Sequence, residues 1–268
     1  MQTFVDCGPA GFSVPGQGGS AGSRVLGRAH DAGRYRLRMA SGLRDVQAAQ
    51  ELRFMVFNLE LNEGLEQSYH TLRDADAFDD VCDHLLVEEA SSGEVVGTYR
   101  LQTGWQAAAG LGYYSAQEFD MGPLEPVRGQ LVELGRACVH RDHRSLPVLS
   151  MLWRGFIAHA RERGCRYLVG CSSLPTADEA AGAAAFRELS RRHLVEERFR
   201  TFPQPGWECR LEGLPEAPAK IPGLLRAYLS LGAKVAGPPA LDRSFGTIDF
   251  LTIMDLNVLP SGARRLLG

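Results

Sequence analysis

Two hydrophobic rhythms alternate along the chain between Tyr35 and Asp255, one repeating every second residue and one every three to four. Tyr35-Arg-Leu-Arg-Met-Ala alternates apolar and polar positions and predicts a strand. From Leu43 to Phe57, Val46, Ala49, Leu52, Phe54, Val56 and Phe57 fall roughly on one helical face. His84–Glu89 and Val95–Gln102 predict two strands joined through Gly93 as a hairpin. An insertion with glycine and tyrosine, 104–126, leads to a strongly apolar strand over 130–139. Val148–Arg163 predicts a helix with Pro147 in its first turn. Tyr167–Ser172 then predicts a short strand and Thr176–Arg198 an Ala-rich helix. Residues 201–222 hold five prolines and predict a loop, ahead of a short helix over Ile221–Leu231 and a last strand over Thr247–Asp255.

A strand–helix–strand run over 130–172 calls for a crossover and hence a parallel strand pair, while hairpins make antiparallel neighbours. The expected fold is therefore α/β (α+β): a mixed, mostly antiparallel sheet with helices on both faces. It would occupy 34–268 as one domain, behind a flexible Gly-rich leader over 1–33 that carries eight glycines. A formal net charge of -3 offers no global field for nucleic acid. No apolar run is long enough to span a membrane, and no secretory signal is evident, so a cytoplasmic protein is expected. The six cysteines are dispersed, without a C-x-x-C pair, and are expected reduced. His140 and His143 lack a second ligand pair, so no metal is expected.

The densest chemical signal is Val132-Glu133-Leu134-Gly135-Arg136-Ala137-Cys138-Val139. In a regular strand Glu133 and Arg136 would point to opposite faces. A glycine inside a strand often marks a bulge, which would change that parity and release a main-chain N–H from the ladder. A carboxylate beside such an N–H is what amine acylation needs: the first takes a proton from the amine, the second steadies the oxyanion. Two charges paired on a sheet face fit the same residues. The loop Arg141-Asp-His-Arg144-Ser145 opens onto a helix N-terminus, either an anion site or a simple basic cap. Arg154, Arg161, Arg163 and Arg166 follow, as a docking surface for an acidic protein or a solvated helix face. Asp74, Asp76, Asp79 and Asp80 are expected as solvated caps or as receivers of a cationic amine. Cys138 and Cys171 are expected as inert core thiols. Ser172 ends a parallel strand, the edge where ligands tend to bind. No Ser–His–Asp set can be assigned.

These elements resemble the second half of the GNAT N-acyltransferase fold, with a splayed parallel pair around residues 130–172. Within that fold several blocks are similar to the ornithine N-acyltransferase family. They include Leu52-Arg-Phe-Met-Val-Phe57, Asp76-Ala-Phe-Asp79, Val96-Gly-Thr-Tyr-Arg-Leu101 and Tyr114-Ser-Ala-Gln-Glu-Phe119. Glu133-Leu-Gly-Arg-Ala-Cys-Val139, Gly170-Cys-Ser-Ser173 and Asp242-Arg-Ser-Phe-Gly-Thr-Ile-Asp-Phe250 continue the likeness, which covers about 35–255. The acyl-homoserine-lactone and N-acyl amino acid synthases resemble the same scaffold.

The resemblance implies an acyltransferase that moves a 3-hydroxyacyl group from acyl carrier protein to the α-amino group of L-ornithine. Glu133, Gly135 and Arg136 would be catalytic. Ala137, Cys138, Val139, Arg141, Arg144 and Ser145 would meet the donor's phosphopantetheine. Arg53, Phe57, Asp76, Asp79, Arg100, Phe119 and Ser172 would organise the substrate site. No bound cofactor is implied; the phosphopantetheine thioester is a co-substrate. Coenzyme A users of this fold carry glycines in the anion loop, but Arg144-Ser-Leu-Pro-Val-Leu149 has none, which favours acyl carrier protein as donor. An amphiphilic product implies peripheral contact with the membrane. Another amine acceptor, or an acyl-carrier-protein-binding module without catalysis, are the alternatives. Asp76, Asp79 and Glu118 are the candidates for the acceptor's distal amine.

Overall fold

A computed structural model describes residues 33–267, so all of the expected leader but Gly33 lies outside the described residues. The chain runs β1 (Tyr35–Met39), α1 (Leu43–Arg53), the hairpin β2 (Asp83–Glu89) and β3 (Val95–Thr103), α2 (Gly104–Ala109) and β4 (Leu131–Val139). It continues with α3 (Leu146–Glu162), β5 (Tyr167–Leu174), α4 (Glu179–Ser190) and α5 (Gly223–Ser230). Then come β6 (Lys234–Val235), β7 (Ala240–Asp242), β8 (Thr247–Asp255) and α6 (Ser261–Leu267). The strands form one sheet in the order β1-β2-β3-β4-β5-β8-β6, with β7 also paired to β8. Every pair is antiparallel except β4 and β5, as the crossover through α3 requires.

Helices cover both faces. Pro147 starts α3, and Val148, Met151, Leu152, Phe156 and Ile157 recur at helical spacing and are all buried. With Leu37, Leu85, Tyr99, Leu101 and Val132 from the sheet they make the main core, at about 1.5–3 kcal/mol for each large side chain buried. On the same face α4 packs Ala185 and Leu189 against Ile248 and Phe250 of β8. Leu225 of α5 is buried there too, and Leu224 and Tyr228 lie on the main core. The apolar side of α5 is thus committed to packing. No helix of the described residues is long and apolar enough to cross a membrane. The opposite face is covered by α1, where Leu52, Val56 and Phe57 enclose Cys138, and by the segment between β3 and β4.

Three elements differ from expectation for local reasons. The helix through Leu52 does not stop at Phe57; it continues from α1 into a π-helical turn over Phe54–Glu60. Residues 104–126 are more regular than an insertion suggests, because Thr103 and Gln106 form a reciprocal N-terminal cap for α2. The helix expected to reach Arg198 ends at Ser190. Leu194 and Val195 serve the sheet edge instead, with the Val195 N–H donating to the Val235 carbonyl at 3.0 Å.

The parallel pair is short. It holds only from Leu131↔Tyr167 to Glu133↔Val169, after which β4 keeps to β3 and β5 keeps to β8. Gly170 sits at this parting, where a β-carbon would lie 2.3 Å from the Leu134 carbonyl oxygen. Gly170→Ala must therefore move main chain. It is expected to destabilise by about 1–3 kcal/mol, and a thermal melt of the variant checks this.

Candidate active site

The bulge inferred at Gly135 is present and lies one residue later. Thr98 and Arg100 on β3, two residues apart, pair with Cys138 and Gly135 on β4, three apart. The extra residue is accommodated with Arg136 in the left-handed region at φ 52°, a conformation that costs a non-glycine residue roughly 1–2 kcal/mol. Its effect is the expected change of parity. Arg136 turns to the α1 face, over the Phe57 ring at 4.9 Å and against Asp74, while Glu133 is held on the same face.

Glu133 is 4% exposed, and each carboxylate oxygen accepts one main-chain N–H: Oε2 from Tyr114 and Oε1 from Ser115, both at 2.8 Å. Burial pushes the carboxyl above the usual carboxylate range, against the opposing pull of those N–H groups and of Arg100. Arg100, Gln102, Tyr114, Ser115, Gly135, Cys82 and Cys171 line a cavity of about 290 Å³ around it, open mouth included. On the other face, a cavity of about 410 Å³, open mouth included, is lined largely by Tyr99, Phe156, Leu168, Val169, Tyr228 and Met254, with Ser172 and Thr252. Leu134 and Cys171 line both, so the two cavities share a wall where β4 and β5 part. One side offers a base near an opening for a polar acceptor; the other offers an apolar slot for a chain.

The acidic stretch is solvated only in part: Asp80 is exposed, and the half-buried Asp76 caps the turn over Ala77–Asp80 by accepting the Phe78 N–H. Asp74 and Asp79 are buried, and the cations they receive are arginines. Arg53, fully buried, donates from Nε to Asp74 at 2.9 Å and from Nη2 to Asp79 at 2.6 Å. Arg100 donates from Nη1 to Asp76 at 2.6 Å and to Asp79 at 3.1 Å, between the rings of Phe78 and Tyr114. Burial raises the Asp79 carboxyl, but Arg53 and Arg100 outweigh it and hold it well below the usual range. Arg100 belongs both to this network and to the lining of the Glu133 cavity, so the network positions the site's floor.

The other expected residues divide. Phe119 is fully buried among Tyr114, Val169 and Cys171, supporting the cavity from behind. Ser172 faces the apolar cavity, its Oγ 3.3 Å from Thr252 Oγ1. The side chains of Ala137 and Val139 belong to the main core and that of Cys138 packs under α1, so a donor could meet these three only through main chain. Burial pushes the Cys138 and Cys82 thiols up to about 12, as expected of inert thiols. Arg144 is turned inward, clamping Glu60 with two bonds of 2.5 and 2.6 Å and donating to the Val139 carbonyl. Arg141 is exposed, and Ser145 stands at the start of α3 without a capping bond. Sequence reasoning missed the Tyr114 and Ser115 N–H donors, which leave no mark in residue type. It also left out of its site Asp242, the last residue of β7, and Asp249, whose signal was a carboxylate inside the apolar strand β8.

A mixed sheet parted beside a buried glutamate defines an acyltransferase of the GNAT fold, and residues 52–154 match the acetyltransferase (GNAT) domain model. The L-ornithine N(alpha)-acyltransferase of Brucella abortus is 34% identical over 257 residues, covering 88% of this chain and 89% of that protein. That of Agrobacterium fabrum is 32% identical over 241 residues, covering 84% and 82%. An N-acyl amino acid synthase from uncultured soil microbes shares the fold, with a TM-score of 0.50 at 10% identity over 84% of this chain and 91% of that one. The chain belongs to the L-ornithine N(alpha)-acyltransferase family.

Proposed function

We propose that the enzyme transfers a 3-hydroxy fatty acyl group from the phosphopantetheine thioester of acyl carrier protein to the α-amino group of L-ornithine, giving an amide-linked lyso-lipid. The observation that carries the reading is the buried Glu133 carboxylate in a cavity that shares Leu134 and Cys171 with an apolar one on the other face. The acyl chain enters the apolar slot beneath Tyr99, Phe156 and Tyr228, and its thioester carbonyl reaches the parting of β4 and β5. Glu133 takes a proton from the acceptor ammonium, directly or through water, and the freed amine attacks the carbonyl. A main-chain N–H of the Gly135–Ala137 bulge steadies the oxyanion. The second amine proton passes, directly or through water, to the phosphopantetheine thiolate that leaves as the tetrahedral intermediate collapses, a tolerable leaving group because thiols ionise at about pH 8.5. No thiol of the enzyme need be acylated.

Acyl carrier protein as donor is supported by the glycine-free loop before α3 and by the exposed Arg141, Arg154 and Arg161. Arg144 is turned inward onto Glu60. The product carries a long acyl chain, so the enzyme works beside the inner face of the cell membrane, from the cytoplasm. Purified protein incubated with 3-hydroxyacyl carrier protein and a panel of amino acids should yield one new amide by mass spectrometry, that of ornithine. Amides of other amino acids in equal yield, or product only from acyl-coenzyme A, would overturn the acceptor or the donor respectively.

A further inference from the structure

On the acceptor side of the sheet, beyond Glu133, three carboxylates are wholly buried: Glu118, Asp242 and Asp249. One oxygen of each lies within 4.8 Å of the others. They come from separate parts of the chain. Glu118 ends the turn whose first residues hold Glu133, and Asp242 and Asp249 stand on β7 and β8. A group of acids is not in itself a site, but Asp242 adds an independent sign. Its Oδ1 accepts the N–H groups of Ser244 and Phe245, at 2.7 and 3.0 Å, while its buried Oδ2 has no hydrogen-bond partner. A carboxylate oxygen in that condition costs the fold free energy unless a cation or donor reaches it.

The position suits a ligand that also reaches Glu133. Cys171 lines the Glu133 cavity; two residues further along β5, on the same face, Ser173 stands opposite Asp249. Glu133 pairs with Val169 and Asp249 with Ser173, four residues apart along β5, or about 13 Å of strand. The two nitrogens of an extended 2,5-diamino acid are about 6 Å apart, and a hydrogen bond of about 3 Å at each end brings its reach to about 12 Å. Asp76 and Asp79, the other acids considered for a distal amine, are already occupied by Arg100 and Arg53.

We propose that Glu118, Asp242 and Asp249 receive the side-chain ammonium of the amino acid acceptor and thereby select a diamino acid. This rests on the acceptor reading above. An ammonium with three donors matches three converging carboxylate oxygens, and its charge relieves the repulsion among them. Burial raises the Asp242 carboxyl, and burial together with Asp249 pushes neighbouring Glu63 up to about 7.

The test compares L-ornithine with L-norvaline, which has the same carbon chain and no side-chain amine. Asp242→Asn is the cleanest variant, because Asn keeps an oxygen for the Ser244 and Phe245 N–H groups and alters only the unpartnered position. The wild-type enzyme should prefer ornithine in kcat/KM. In Asp242→Asn and Asp249→Asn that preference should fall about 10- to 100-fold, chiefly through the KM for ornithine. A preference unaltered in both variants would overturn the proposal, as would equal loss on both acceptors, which marks a packing role. Loss of wild-type activity in a chelator, restored by a divalent cation, would reassign the three carboxylates to a metal and overturn it too. Wild-type enzyme that uses both acceptors equally would remove the acceptor reading itself, and the selection with it.

Discussion

Glu133→Gln is expected to lower turnover about 100- to 10,000-fold, the usual worth of a positioned general base, while the protein still folds. The amide removes the proton acceptor but keeps one oxygen for either the Tyr114 or the Ser115 N–H. The other N–H then faces an NH2 group, a local loss of about 1–3 kcal/mol that a melt run alongside the kinetics would register. The wild-type enzyme adds a second readout. Because burial raises the Glu133 carboxyl, the base form is lost on acidification at a pH above the ordinary carboxylate value. The acid limb of kcat/KM should therefore lie above that value and should be absent from the residual activity of the variant. Near-normal turnover in Glu133→Gln would exclude Glu133 as the base.

The frame of this site was legible in the sequence because it rests on local rules. Alternation marked β1, a hairpin connection marked β2 and β3, an apolar run marked β4, Pro147 and the Val148–Phe156 spacing marked α3, and the strand–helix–strand order required one parallel pair. The glycine within Glu133-Leu-Gly-Arg136 pointed to a bulge, and the bulge does bring both charged residues to one face. What residue type could not convey was which residue takes the left-handed conformation. Gly135 can adopt it freely, yet Arg136 does, because its guanidinium is drawn to Asp74, 62 positions away. The same limit hid the role of the acidic stretch. Asp74 to Asp80 resembles a solvated loop in composition, and only the tertiary arrangement shows three arginines converging on it from α1, β3 and β4. Non-local charge pairing of this kind leaves little local trace, whereas an acid in an apolar strand, such as Asp249, leaves a visible one.

Asp79→Asn is expected to produce the largest loss of stability of any single change considered. Asp79 accepts from Arg53 and Arg100, and also from the Gln50 side chain and the Asp76 N–H. An asparagine cannot balance two guanidinium charges that are themselves almost wholly buried. Breaking a buried pair from one side costs about 3–5 kcal/mol, or about 10 °C in melting temperature for a domain of this size. The pH dependence has a definite sign. The folded-state carboxyl lies below its ordinary value of 3.8, so its contribution is complete above that value and is lost as the pH falls through it and below. Wild-type stability should thus drop steeply in that acid range, and Asp79→Asn should start lower at neutral pH and show a shallower acid slope. Because Arg100 also lines the Glu133 cavity, the variant should lose activity at temperatures where it is still folded. Full activity there would mean that Glu133 is positioned without the arginine network, by the Tyr114 and Ser115 N–H groups alone.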